Sequence, residues 1–253
     1  MVTVQLTWHL ALALALLLAL AVAASVVARL GVSRTMVLAG VRATLQLTAV
    51  SFIVVAAVTH LLYAVAFALL MFAIGVRTTA RRTGVRGAWP WSALAMASGV
   101  LPVLLIVFGS GAAPLNGLAL VPLAGIVIGN MMTAHTLVGR REFATLREGH
   151  GIYEAALAIG FTRREAIRLV TERSLPEALY PNLDTTRTVG LVTLPGAFVG
   201  VLLGGGSPLH AGAAQILVLI GVMAGQAVVV AVAHQFMMAG RLLPPDLTEK
   251  LRP

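Results

Sequence analysis

Residues 151–166 read GIYEAALAIGFTRREA, and they lie in the longest polar interval of a chain otherwise made of apolar runs. Of 253 residues, 59% are hydrophobic and 11% charged. No soluble domain buries that much apolar side chain, so the composition predicts an all-α, polytopic integral membrane protein. A β-barrel would alternate apolar and polar residues in segments of about ten, whereas these runs are continuous. A loop that only joined two spans needs a few residues. The interval 140–187 is much longer, and its local signals are helical.

Spans are expected at 5–28, 36–58, 60–76, 90–109, 117–139, 188–206 and 213–238, about seven in all. The net charge of +9 is distributed by topology. Arg29 and Arg34 follow the first span. Arg77, Arg81, Arg82 and Arg86 follow the third, and Arg140, Arg141, Arg147, Arg163, Arg164, Arg168, Arg173 and Arg187 follow the fifth. Arg241, Lys250 and Arg252 lie in the tail, while the second, fourth and sixth connections hold no Lys or Arg. This alternation predicts an N-terminus outside and a cytoplasmic C-terminus in a multi-pass plasma-membrane protein, and it argues against nucleic acid as a partner. No basic residue precedes Arg29, so the first apolar run reads as a span rather than a signal peptide. The chain then reads as one transmembrane domain, 1–253, with 140–187 as cytoplasmic segment and 239–253 as cytoplasmic tail.

Several chemistries are excluded. There is no cysteine, hence no disulfide and no thiolate site. The only lysine, Lys250, follows Glu249 and belongs to no P-loop. No H-E-x-x-H or G-x-S-x-G occurs, so the chain does not read as an enzyme. All nine acidic residues fall outside the expected spans, which weighs against a proton- or sodium-coupled carrier. If ATP drives this protein, another chain binds it.

Within the polar interval, Ile152, Ala155, Ala156 and Ile159 recur at i, i+3, i+4 and i+7, the stripe of a two-turn helix. Gly160 stands where a terminating glycine belongs. Thr162 and Glu165 then form a capping box that opens a second helix, carrying Arg163, Arg164 and Arg168. Ser174 and Glu177 are placed to cap a third short helix with Pro176 in its first turn. Two readings follow for the pair. It either lies on the lipid surface with its arginines toward anionic headgroups, or it docks in a cleft of a partner.

The stretch EAALAIG, Glu154 to Gly160, resembles the E-A-A-x-x-x-G coupling loop of ABC-transporter permeases. There an Ile-x-Leu-Pro follows after nine residues; here Leu175-Pro176 comes three residues late and Val170 replaces the Ile. Three further stretches, AGVRATLQL (39–47), PLAGIVIGNMMTA (122–134) and VGLVTLPGAFVGVLLGGGSPLHAGAAQILVL (189–219), resemble the FetB-type permease family of bacterial iron exporters and plant aluminium-tolerance relatives. In order and spacing these blocks cover about residues 36–235. Where the family reads Leu-Pro-Gly-Met-Met-Thr-Gly-Gln, this chain has Leu194, Pro195, Gly196, Ala197, Phe198, Val199, Gly200 and Val201.

The resemblance implies a permease homodimer paired with a cytoplasmic ABC ATP-binding subunit. ATP and magnesium would be held by that partner and no cofactor by this chain. The solute would be iron or a related metal species. Another solute such as a nucleotide sugar, or a non-ABC carrier or scaffold, stays open. In a coupling helix, Ile152, Ala155, Ala156 and Phe161 would supply apolar contacts. Glu154, Arg163 and Arg164 would form the rim, and Gly160 and Thr162 the turn.

Polar groups inside lipid mark a candidate pathway. Gln46 lies about 15 Å into the second expected span and Gln226 about 20 Å into the last, on a rise of about 1.5 Å per residue. Asn130, Met131 and His135 line up in the fifth, and Pro195 interrupts the sixth, freeing backbone carbonyls. The alternative is that Gln46, Asn130 and Gln226 bond between helices, with the G-x-x-x-G of Gly125 and Gly129 allowing close approach. Metal ligands are not legible in the sequence, because the spans hold no carboxylate.

Overall fold

The structure is a computed structural model that describes residues 7–251. The start of the first expected span, residues 5 and 6, and the tail residues Arg252 and Pro253 lie outside the described residues. The chain divides into two compact units, residues 1–59 and 60–253.

The first unit is a helical hairpin, α1 (Trp8–Val27) and α2 (Ser33–Ala57). Gly31 at φ +70° makes its turn, Ser33 Oγ donates to Ser25 Oγ at 3.0 Å, and Gly40 lets Leu18 lie against α2.

The second unit holds α3 (Leu61–Arg82), α4 (Trp89–Gly109), α5 (Gly117–Glu148), α6 (His150–Ala158), α7 (Arg163–Thr171), α8 (Tyr180–Thr188), α9 (Gly196–Leu203), α10 (Pro208–Met238) and α11 (Pro245–Lys250). Short 3-10 turns, Arg86–Ala88 and Leu175–Ala178, precede α4 and α8. Six helices, α1 to α5 and α10, are long and apolar enough to cross a membrane. No strand occurs among the described residues beyond one isolated bridge, Val189 to Thr193. The protein is an all-α, multi-pass membrane protein.

Neighbouring residues give the helix directions. Met71 faces Gly125 and Thr83 faces Gly139, so α3 and α5 run parallel. Gln226 bonds to Asn130 and His234 to Glu142, so α10 runs parallel to α5. Gly99 meets Gly225 and Val229 while Val103 meets Gly221, so α4 runs antiparallel to α10. One end of this bundle therefore collects the arginines that end α3, precede α4, end α5 and follow α10. We call it the basic end.

The sixth expected span, 188–206, is not a continuous helix. Gly190 (φ +84°) and Gly205 (φ +89°) turn the backbone out of helix, and Pro195, lacking an N–H, starts the eight-residue α9. At about 1.5 Å per residue α9 covers about 12 Å, less than half of a bilayer core. Yet α5 ends at the basic end and the parallel α10 starts at the other. The chain must return between them, and it does so as a broken crossing made of α8, an irregular stretch and α9.

Close packing also departs from expectation. Gly129 has nothing within 4 Å of an added Cβ, and Gly125 only Met71 at 3.8 Å. The tight crossing is instead between Gly99 of α4 and Gly225 of α10, where a Cβ on Gly99 would sit 2.5 Å from the Gly225 carbonyl oxygen. Small residues at a crossing let backbones approach, but the sequence motif alone does not say which face meets a neighbour.

Gly99→Ala should destabilise the bundle by about 2 kcal/mol through overpacking against backbone, whereas Gly129→Ala should leave stability equal or slightly higher. Thermal unfolding in detergent distinguishes them, and equal effects would contradict the crossing.

Candidate functional site

The polar interval folds as the local signals require. In α6 the last turn closes with Phe161 N–H donating to the Ala156 carbonyl and Gly160 N–H to the Leu157 carbonyl, both at 3.0 Å. That pair of bonds needs a left-handed residue at Gly160, which stands at φ +98°. α7 then opens with a complete capping box. Thr162 Oγ1 accepts from Glu165 N at 3.3 Å, and Glu165 Oε2 accepts from Thr162 N at 2.8 Å. Hydrogen bonds from the Thr162 side chain and then its backbone hold the Glu165 carboxyl below its ordinary range. Pro176 does sit in a short helical turn, but Ser174 does not cap it; its hydroxyl donates back to the Thr171 carbonyl at 3.0 Å.

The apolar stripe of α6 splits between two faces. Tyr153 and Ala156 point inward with Ala166 and Ile167 of α7, joining a core built from Phe143 and Leu146 of α5 and Met237 of α10. Ala156, expected to meet a partner, is thus buried within this chain. Ile152 (58% exposed), Ala155 and Ile159 (77% exposed) face outward with Glu154 and Phe161. The helix turns about 100° per residue, so Ala156 falls on the inner face while its neighbour Ala155 does not.

Arg163 and Arg164, expected at a rim, lie against the end of α10, Arg163 half-buried and Arg164 exposed. Arg163 lies over the turn at Gly240, where an added Cβ would come 2.7 Å from its guanidinium. Arg164 donates to the Gln235 side chain of α10. The Arg164 bond ties α7 to the end of α10, and Arg163 packs over the turn that follows it.

The chain's last helix closes the arrangement. Tyr153 Oη donates to the Leu251 carbonyl at 3.1 Å, and the His150 ring lies 3.3 Å from the Lys250 carbonyl. Arg147 grips Asp246 with two bonds, 2.7 and 3.1 Å. Those bonds hold the Asp246 carboxyl below its ordinary range. Their contribution is therefore present above the unfolded-state pKa and is lost as the pH falls through the lowered folded value. Because both partners are about half exposed, it is small.

The candidate pathway residues come together only in part. Gln226 Nε2 donates to the Asn130 carbonyl at 3.2 Å, and Asn130 donates back to Ile126 within α5 at 2.9 Å. Met131 fills the space left by Gly99 and Gly225. His135, fully buried one turn on, has no partner on either ring nitrogen, and Gln226 Oε1 is also unpaired. Gln46 is exposed on α2 of the first unit, and Pro195 starts α9. Met131, His135 and Gln226 are buried and Asn130 is half-buried; Gln226 and Met131 lie at the α5–α10 contact, and His135 follows on the same face of α5.

A further pair joins the same two helices and was not anticipated. Glu142, fully buried, accepts from the His234 ring nitrogen Nδ1 at 2.9 and 3.0 Å. One signal was legible: Ile128, Met131, His135, Val138 and Glu142 recur at helical spacing, so Glu142 shares the buried face. Its partner, 92 residues away, was not legible. Among the described residues no group of three or more His, Cys, Asp or Glu could hold a metal ion.

A model of the family described as uncharacterised, UPF0014, matches residues 7–241, which include α1 to α10. The chain is 31% identical over 198 residues to the UPF0014 membrane protein STAR2 of Oryza sativa subsp. japonica, covering 77% of this chain and 70% of that protein. It is 36% identical over 137 residues to the protein ALUMINUM SENSITIVE 3 of Arabidopsis thaliana, 54% and 48% of the respective chains. It is 33% identical over 130 residues to the "Probable iron export permease protein FetB" of Escherichia coli (strain K12), 50% and 48%. No solved structure matches the chain.

Glu142→Leu leaves His234 buried without its acceptor and should cost about 3 kcal/mol of stability, whereas Glu142→Leu with His234→Leu should recover most of it. Denaturation of the purified protein reads both, and equal losses would contradict the pairing.

Proposed function

The chain belongs to the uncharacterised protein family UPF0014, and from that membership we propose that it is the membrane-spanning permease subunit of an ATP-driven ABC transporter. A separate cytoplasmic ATP-binding subunit hydrolyses ATP, and the permease works as a homodimer. One relative is named a probable iron export permease, and iron or a related metal species, moved outward as cargo, is the solute this reading favours. On this reading the basic end faces the cytoplasm, as the positive-inside rule favours, and counting the broken crossing as a span has the N-terminus outside and the C-terminus in the cytoplasm.

The observation that carries this reading is the outward apolar strip of α6. Ile152 and Ile159, with Ala155 between them at i+3, leave two large side chains exposed beside Glu154. A helix presenting such anchors suits a groove in a partner. The inner face of the same helix is embedded in the ends of α5 and α10. A push on the strip is therefore delivered to both helices at once, and the α5–α10 contact carries Gln226 and Met131. Asn130, His135 and Gln226 are the groups placed to meet a solute when that contact opens. Ala197 and Phe198 in place of the family's methionines, and Val199 and Val201 in place of its threonine and glutamine, leave α9 wholly apolar, which favours a solute different from that of relatives carrying those residues.

Ile152→Glu and Ile159→Glu change exposed positions and should leave the melting temperature unchanged. Each should reduce co-purification of the ATP-binding subunit by tenfold or more and lose transport-coupled ATP hydrolysis. Normal binding and coupling in both variants would overturn the reading.

A further inference from the structure

A cleft of about 770 Å³ opens on the second unit between α3 and the start of α4, away from the α5–α10 contact. Its lower part is lined by Arg77, Arg81 and Arg86, with Trp89 beside them. Its upper part is Phe72, Ala73, Val76 and Ala93. Two rows of α3 build one wall, since Ala73, Arg77 and Arg81 repeat every four residues, as do Phe72, Val76 and Ala80. Gly84, at φ +80°, reverses the chain, and Val85, 1% exposed, anchors the turn that swings Arg86 onto the opposite wall.

The charge of this cleft is not balanced by a carboxylate beside it among the described residues. No Asp or Glu occurs before Glu142, and none of the three arginines has a carboxylate partner among the described residues. Three guanidinium groups around one cleft repel each other unless an anion sits among them. The apolar part states what else the ligand carries. Phe72 precedes Arg77 by five residues and Arg81 by nine, so the wall rises about 8 Å above the upper arginine and about 14 Å above Arg81. At that depth a free anion would be desolvated beside apolar side chains, whereas an acyl chain belongs there. Trp89 marks the level where an aromatic ring sits between headgroups and hydrocarbon.

We propose that this cleft is a binding site for one anionic phospholipid. Its phosphate sits among Arg77, Arg81 and Arg86, and an acyl chain lies against Phe72, Val76 and Ala93. Basic clefts between spans at the cytoplasmic leaflet take such headgroups, and each arginine near the surface is worth about a fivefold preference. The lipid would neutralise the α3–α4 turn.

The test uses the full-length protein in phosphatidylcholine vesicles that contain a small share of phospholipid with chains brominated near the headgroup. Quenching is read as the difference between the wild type and Trp89→Phe, which isolates Trp89 from the other tryptophans. Brominated phosphatidylglycerol should associate at least tenfold more strongly than brominated phosphatidylcholine. Arg81→Gln should lower that preference about fivefold, and replacing all three arginines by Gln should abolish it. Equal quenching by the two lipids in the wild type would overturn the proposal without any variant. A preference that survives Arg81→Gln and the triple change would also overturn it. So would displacement of the brominated lipid by millimolar inorganic phosphate, since the site would then take a free anion.

Discussion

At the basic end the apolar sides of α6 and α7 are buried against the overhanging last turns of α5 and α10, and the rest of the arrangement depends on that contact. α5 has 32 residues, about 48 Å at 1.5 Å each, while a bilayer core takes about 30 Å. The excess stands clear of the hydrocarbon and offers Phe143 and Leu146 as a wall. Tyr153 and Ile167 fill it from one side, and Leu247 and Leu251, both fully buried, close it from another. Each such large side chain contributes about 2 kcal/mol relative to exposure. Without the overhang, a pair of two-turn helices would have nothing to pack on except lipid.

Burial on one face decides what the other face can do. Because Tyr153 and Ala156 are committed inward, Ile152 and Ile159 are committed outward. The Schellman turn at Gly160 and the capping box at Thr162 fix the angle between α6 and α7, and the Arg164 bond ties α7 to the end of α10. The pair is a rigid extension of two parallel helices rather than a tether. The buried Glu142–His234 pair sits where the extension meets the bundle. Such a pair tolerates only a few arrangements of its helices, because separating it leaves an unpaired polar group in an apolar core.

Much of the local structure was legible in the sequence, although Ser174, read as a cap, bonds back to Thr171 instead. The caps at Thr162 and Gly160, the long apolar helices and the collection of arginines at one end follow from spacing and composition. What could not be read rests on contacts between distant residues. Ala155 and Ala156 are alike in sequence, and only the position of α5 and α10 tells which is buried. Gly125 and Gly129 have the spacing of a packing motif, yet the close crossing uses Gly99 and Gly225, 126 positions apart. The stretch 188–206 is apolar enough for a span, but Gly190, Pro195 and Gly205 break its backbone, and hydropathy does not register a dihedral angle. Glu142 looked like a loop carboxylate because α5 was expected to end at 139.

The central claim is that the polar interval shares one core with the ends of α5 and α10. Hydrogen–deuterium exchange of the full-length protein in lipid nanodiscs measures this directly. The account predicts that the amides of Tyr153 to Leu157 and Ala166 to Val170 are protected to within about tenfold of those at Phe143 to Leu146, because opening the block means opening that core. Exchange of the block at the rate of an unstructured loop, while the end of α5 stays protected, would contradict it.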